Sequence, residues 1–246
     1  MRGVAVLKPF QWELDVQGES WEQGQELTGT LRLTNLDSTA QAVSGKLQLA
    51  LGELKKVHAR DPKAFKEIQV LALAPQQLAP GAALVESFRF ALPPNGHVTD
   101  KKQGPYLAYG PTGVEANLLL NVKPRQLFQE VGKLLETFQR FRPKDIKNGK
   151  DCVELKFAAP SSRDYAHVEG LELSLAMKDE LLVLDFLFKV KTLDTQSVTT
   201  KVAKDEKLVH LELTKRQYDL GRGLLNQDGV LKALDEALAG VRMKGL

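Results

Sequence analysis

The chain has 246 residues, 43% of them hydrophobic and 26% charged, with 34 basic residues against 31 acidic ones. That size predicts one large or two medium domains, and a net charge of only +3 is no nucleic-acid footprint. The single cysteine, Cys152, excludes an intrachain disulfide and predicts a reducing compartment. The opening MRGVAVLKPF lacks the apolar core of a secretory signal, and no apolar run approaches the ~18 residues of a membrane span. A cytoplasmic protein is expected.

Strands come first. Residues 11–17 alternate, with Trp12, Leu14 and Val16 set against Gln11, Glu13 and Asp15, as a half-buried strand does. In 21–35, Gly24 turns the chain and Leu27, Gly29, Leu31 and Leu33 line one face, ending in a turn cluster from Asn35 to Ser38. Residues 43–51 put Leu47, Leu49 and Leu51 on one side. The charged stretch 53–66, broken by Pro62, reads as an exposed hairpin tip, with 67–73 as its return strand. In 78–95, LAPGAALVESFRFALPPN, Pro80-Gly81 turns into a strand with Leu84, Phe88, Phe90 and Leu92 on one face. Pro93-Pro94 ends it, since proline cannot donate to a ladder. Residues 97–113 show no period, carry Gly104, Pro105, Gly110, Pro111 and Gly113, and read as a long loop. Alternation resumes over 114–122. Short strands at this spacing predict an antiparallel, immunoglobulin-like sandwich over 1–123.

After Pro124 the period changes. Leu127, Phe128, Val131, Leu134, Leu135, Phe138 and Phe141 form one stripe of an amphipathic helix that Pro143 stops. Residues 124–150 hold seven basic side chains (Arg125, Lys133, Arg140, Arg142, Lys144, Lys147, Lys150) against three acidic ones. This segment carries +4 and the rest of the chain −1, which makes it a basic connector helix and linker. Residues 151–246 read as a second sandwich, with strands at 153–157, 171–175, 181–191, 196–202 and 208–213. A helix then starts near Asp228, its expected N-cap, with Val230, Leu231, Leu234, Ala237, Leu238 and Val241 as its stripe.

The stretches WEQGQELTGTLRLTN and LAPGAALVESFRFALPPN resemble strand-opening and strand-closing patterns of the arrestin-like fold family. GVEANLLLNVKP sits where such domains place the last strand of the N-terminal sandwich. LFQEVGKLLETFQRF, followed by a charged turn and VELKF, looks like the helical connector of bacterial sporulation-control proteins, in which two arrestin-like sandwiches lie in tandem. The resemblance implies a mainly β protein with two tandem arrestin-like antiparallel sandwiches, a connector helix and a C-terminal helix. It also implies a non-catalytic scaffold or adaptor that binds other proteins. The phosphate-sensing residues of visual and β-arrestins have no counterpart here, so phospho-receptor binding is not implied.

Catalytic signatures are missing from the sequence, and no catalytic residue, metal ligand or cofactor is assigned. His58, His97, His167 and His210 lack ligand spacing, and Cys152 lies beside Asp151, which disfavours a thiolate. Gly221-Arg222-Gly223 lacks the context of a phosphate cradle. Two stretches are candidates for binding a protein partner. One is the loop at 97–113, with Lys101 and Lys102 at its front and Tyr106 and Tyr109 as rigid recognition anchors. The other is the connector, with Lys133, Arg140 and Arg142. Strand edges offer a route to a homodimer. The connector offers a weaker route to an anionic membrane, because Glu130 and Glu136 mix its polar face. The alternative function is a carbohydrate- or small-ligand-binding sandwich, a hydrolase among the options, using Tyr106, Tyr109 and loop acids.

Overall fold

The computed structural model describes residues 1–113, 115–194, 201–221 and 223–242. The chain divides into two compact units, Met1–Lys123 and Pro124–Leu246.

The first unit runs β1 (Arg2–Leu7), β2 (Phe10–Val16), β3 (Trp21–Glu22), β4 (Glu26–Asn35), β5 (Gln41–Ala42), β6 (Lys46–Glu53) and α1 (Leu54–His58). It continues through β7 (Phe65–Ala72), β8 (Gln77–Leu78), β9 (Ala83–Ala91), β10 (Gln103–Gly110), β11 (Ala116–Leu119) and β12 (Val122–Lys123). Two four-stranded antiparallel sheets, β1-β2-β4-β9 and β11-β10-β6-β7, make its body. Short pairs, β5 with β8 and β3 parallel to β12, close its ends. Trp12, Leu14, Leu27, Leu31, Leu33, Leu47 and Leu49 are fully buried in one cluster with Phe88, Phe90, Leu107 and Tyr109. Burying each such side chain stabilises the fold by about 1.5–3 kcal/mol, which explains why the alternation is so regular.

Two turns of the same chemistry feed β4 and β9. The Ala82 N–H bonds the Ala79 carbonyl around Pro80-Gly81, and the Gln25 N–H bonds the Glu22 carbonyl around Gln23-Gly24. Gly81 (φ 71°) and Gly24 (φ 84°) each take the third turn position, where a type II turn needs positive φ. Gly29 answers a different need. It pairs with Phe88 across β4–β9, and a Cβ there would meet the Phe88 ring at 2.7 Å.

The stretch 97–113 is not one long loop. Its residues 103–110 form β10, an interior strand between β6 and β11. Residues 104–110 are buried throughout, and a strand buried on both faces shows no alternation to read. Tyr109, 2% exposed, fills the space between the sheets. Tyr106, 3% exposed, packs with Val57 and Ala64 and stands edge-on to Phe65 at 5.4 Å. The expected hairpin tip at 53–66 therefore contains α1 and covers Tyr106. Neither tyrosine is a surface anchor.

The second unit runs α2 (Gln126–Thr137), β13 (Arg142–Asn148), β14 (Val153–Ala158), β15 (Val168–Lys178), β16 (Leu181–Asp194), β17 (Lys201–Leu213), α3 (Lys215–Tyr218) and α4 (Gln227–Ala239). Its five strands pair antiparallel in chain order. Leu155, Leu173 and Phe186 form one cross-strand row, and Phe157, Leu171 and Phe188 the next, all buried. Helix α2 buries Phe128, Val131, Leu134 and Leu135, while α4 buries Val230, Ala233, Leu234, Ala237 and Leu238. The fold class is mainly β and antiparallel, as the sequence implies. Where a second sandwich is expected at 151–246, the described residues of the second unit form one five-stranded sheet, with α2 and α4 burying their apolar faces in the same unit.

Several local expectations change. The segment read as linker after the helix contains β13, an edge strand. Helix α2 ends at Thr137, well before Pro143, and leaves Phe138 55% exposed instead of in the stripe. The N-cap of α4 is Asn226, whose side chain accepts the Gly229 N–H, so Asp228 lies in the first turn. Of the strand expected at 196–202, residues 196–200 lie outside the described residues, and the rest opens β17, which runs unbroken through Asp205 and Glu206. Val114 and Arg222 also lie outside the described residues.

Candidate functional site: a basic cleft beside α2

The site grows from how α2 begins and ends. At its start, the Gln129 side chain donates to the Pro124 carbonyl at 2.6 Å and the Arg125 guanidinium lies 5.7 Å from the Phe128 ring centre. At its end, the chain reverses through Arg140 in the left-handed region (φ 58°), and the Phe141 N–H bonds back to the Leu135 carbonyl. Phe141 thereby re-enters the core, edge-on to Tyr165 at 5.4 Å. Phe138 is left in solvent, and β13 starts at Arg142, whose guanidinium donates to the Ser161 hydroxyl at 3.2 Å.

Strand β13 is the edge of its sheet, with a bulge between Pro143 and Asp145. Between α2 and β13–β14 lies a cleft of about 390 Å³. Its floor is apolar, built from Gly132, Ile146, Leu155 and Phe157. Gly132 keeps the floor open, because a Cβ there would stand 3.1 Å from a Leu155 methyl. Ile146 pairs with Leu155 yet remains 43% exposed. Lys133, Lys144, Lys156, Glu136 and Asp145 form the rim.

Charge on this rim is only partly compensated. Lys156 is 2.6 Å from Glu172, which takes Lys189 at the same distance. Hydrogen bonds from those two lysines hold the Glu172 carboxyl below its ordinary range. Among the described residues, Lys133, Arg140, Lys144 and Lys147 join no ion pair. Of the connector candidates only Lys133 lines the cleft; Arg140 sits in the reversing turn and Arg142 at the head of β13. Lys101 and Lys102 belong to the first unit, exposed in a turn where Asp100 Oδ1 accepts the Lys102 and Gln103 N–H groups. Sequence reasoning did not single out Gly132, Ile146 or Lys144. The one signal available was the +4 charge of the whole segment.

The remaining titratable groups form local networks. On the polar face of the second sheet, His210 Nδ1 lies 2.6 Å from Asp185, and Nε2 lies 3.4 Å from Glu212. The Asp185 bond raises the His210 pKa. Burial pushes the Cys152 thiol up, and the nearby Glu154 charge adds to this, so the thiolate is disfavoured. Asp228, Asp235 and Glu236 line an open depression on α4 with Arg242, but Asp235 is held by Arg242 and Gln139. Among the described residues, no group of three His, Cys, Asp or Glu side chains is placed to hold a metal ion.

No family model and no curated protein matches this chain. Among solved structures, the crystal structure of Spo0M, sporulation control protein, from Bacillus subtilis matches with a TM-score of 0.67. The match covers 96% of this chain and 100% of that one. The fold is similar to that of Spo0M. The arrestin-like architecture implied by the stretches at 21–35 and 78–95 is therefore present. Sequence identity to Spo0M is 15%, so the likeness is one of fold. A Pseudomonas fluorescens alkylpurine DNA glycosylase, AlkC, bound to DNA overlaps 47% of this chain and 30% of its own, with 13% identity and a TM-score of 0.32. A Paenibacillus cycloisomaltooligosaccharide glucanotransferase overlaps 50% of this chain and 18% of its own, with 16% identity and a TM-score of 0.31. Neither of these partial overlaps bears on function. No helix among the described residues is long and apolar enough to cross a membrane.

Proposed function

We propose that this chain is a non-catalytic regulatory protein of the cytoplasm that works by binding a protein partner through the basic face of its second unit. The observation that carries the reading is the pairing of exposed apolar side chains with uncompensated cations. Phe138 and Ile146 are 55% and 43% exposed, close in sequence to Lys133, Arg140, Lys144 and Lys147. Such a surface gains from burying its apolar groups, and its cations steer an anionic partner toward it. The fold likeness to a sporulation control protein supports a regulatory role. At β13, Pro143, the bulge, Lys144 and Lys147 all oppose edge-to-edge pairing, so the partner is taken to be a different protein and not a second copy.

The test is affinity capture from the source cell's lysate with wild-type bait beside Lys133→Glu/Arg140→Glu, both first shown to melt alike. A protein captured by the wild type and lost by the variant supports the reading. Well-folded bait that captures nothing above background overturns it.

A further inference from the structure

Resting on the partner-binding reading, the geometry points to the occupant of the cleft between α2 and β13–β14. We infer that it takes a short segment of the partner with one apolar side chain flanked by spaced carboxylates. The floor of Gly132, Ile146, Leu155 and Phe157 offers an apolar side chain a place out of water. Helix α2 supplies Lys133 to the rim and β13 supplies Lys144, so an extended segment lying in the cleft meets a cation from each of the two elements that bound it. Both lysines are exposed, and neither joins an ion pair among the described residues. A carboxylate reaching them forms a charge-assisted bond without first breaking one.

An acid on the same rim narrows the choice. Glu136, exposed, lines the cleft together with Lys133 and Lys144. A continuous polyanion, such as a nucleic-acid backbone or the headgroup plane of an anionic membrane, places negative charge against it and is repelled. A segment with separated acids can put its carboxylates on Lys133 and Lys144 and leave Glu136 facing solvent. The rim thus selects by repulsion as well as attraction. Arg140, Lys147 and Lys150 extend the positive field along the segment and raise the encounter rate at low salt.

The experiment uses the full chain and a short fluorescent peptide with a central leucine flanked on each side by two glutamates, read by anisotropy at low salt. Binding is expected to weaken about tenfold or more in Lys133→Glu/Lys144→Glu and in Ile146→Ser. It is also expected to weaken when the central leucine becomes glycine, or when glutamine replaces every glutamate. Equal binding of the leucine and glycine peptides would overturn the apolar part of the occupant. Vesicles of phosphatidylserine and phosphatidylcholine form a second arm, and vesicle binding tighter than peptide binding, lost in the same variants, would overturn the peptide occupant. Failure of the peptide while lysate capture still depends on Lys133 and Arg140 would sink this inference and leave the partner-binding reading intact. Failure of both would sink both.

Discussion

Two stretches of this chain carry residues that commonly recognise partners, yet they finish on opposite sides of the boundary with solvent. Strand β10, with Tyr106 and Tyr109, is buried from Gly104 to Gly110. The segment from α2 through β13 leaves Lys133, Phe138, Arg140, Lys144 and Ile146 exposed. The difference lies in what each side chain costs to bury. Burying a tyrosine ring removes a large apolar area from water, and Tyr109 has the space between two sheets to fill. A lysine without a partner carboxylate would be desolvated at a cost that no nearby group offsets, so it stays out. Aromatic residues in a stretch without period therefore indicate burial on both faces as readily as recognition. Uncompensated charge is the better guide to a surface.

This contrast can be broken most severely at Tyr109. Tyr109→Ala leaves a cavity between the sheets of the first unit and is expected to lose about 3–5 kcal/mol, read as a large fall in the urea midpoint. Tyr106→Ala should cost less, about 2–3 kcal/mol, because its small cluster with Val57 and Ala64 can collapse under α1. An unchanged midpoint in both variants would restore these tyrosines to the surface. A smaller effect sharpens the contrast on the polar face of the second unit. The cross-strand bond from Asp185 holds the His210 pKa above its ordinary value of 6.5. Its stabilisation is therefore complete below that value and lost as pH rises through the folded-state pKa. The side chains are half exposed, so the slope is shallow, and Asp185→Asn should flatten it. The smallest expected effect on stability is that of Lys133→Glu/Lys144→Glu, within about 0.5 kcal/mol of wild type by thermal melt. A large loss there would show these lysines to be structural.

Much of the fold is legible where one face meets the core and the other meets water. The Leu27–Leu33 and Leu84–Leu92 alternations, the two Gly-containing turns and the Phe128–Leu135 stripe all take the form their sequence implies. Legibility fails where that asymmetry is missing. Strand β10 is buried on both faces and contains Gly104 and Pro105, the residues usually read as loop. Strand β13 is a charged edge with a proline, so nothing in its composition announces a ladder. The end of α2 is hidden for another reason: Arg140, not glycine, takes the left-handed position that reverses the chain. At the candidate site, charge alone pointed to Lys133, Arg140 and Arg142. The cleft floor was invisible, because Gly132, Ile146, Leu155 and Phe157 come together only when α2 lies against β13 and β14.

The most direct test is amide hydrogen exchange on the intact chain, alone and with the acidic peptide at saturation. The account predicts slow exchange across 103–110 in both states, since those amides lie in an interior strand. It predicts new protection on binding within 126–148, where α2 and β13 bound the cleft. Fast exchange across 103–110 in the free protein, or protection gained there and not in 126–148, would contradict it.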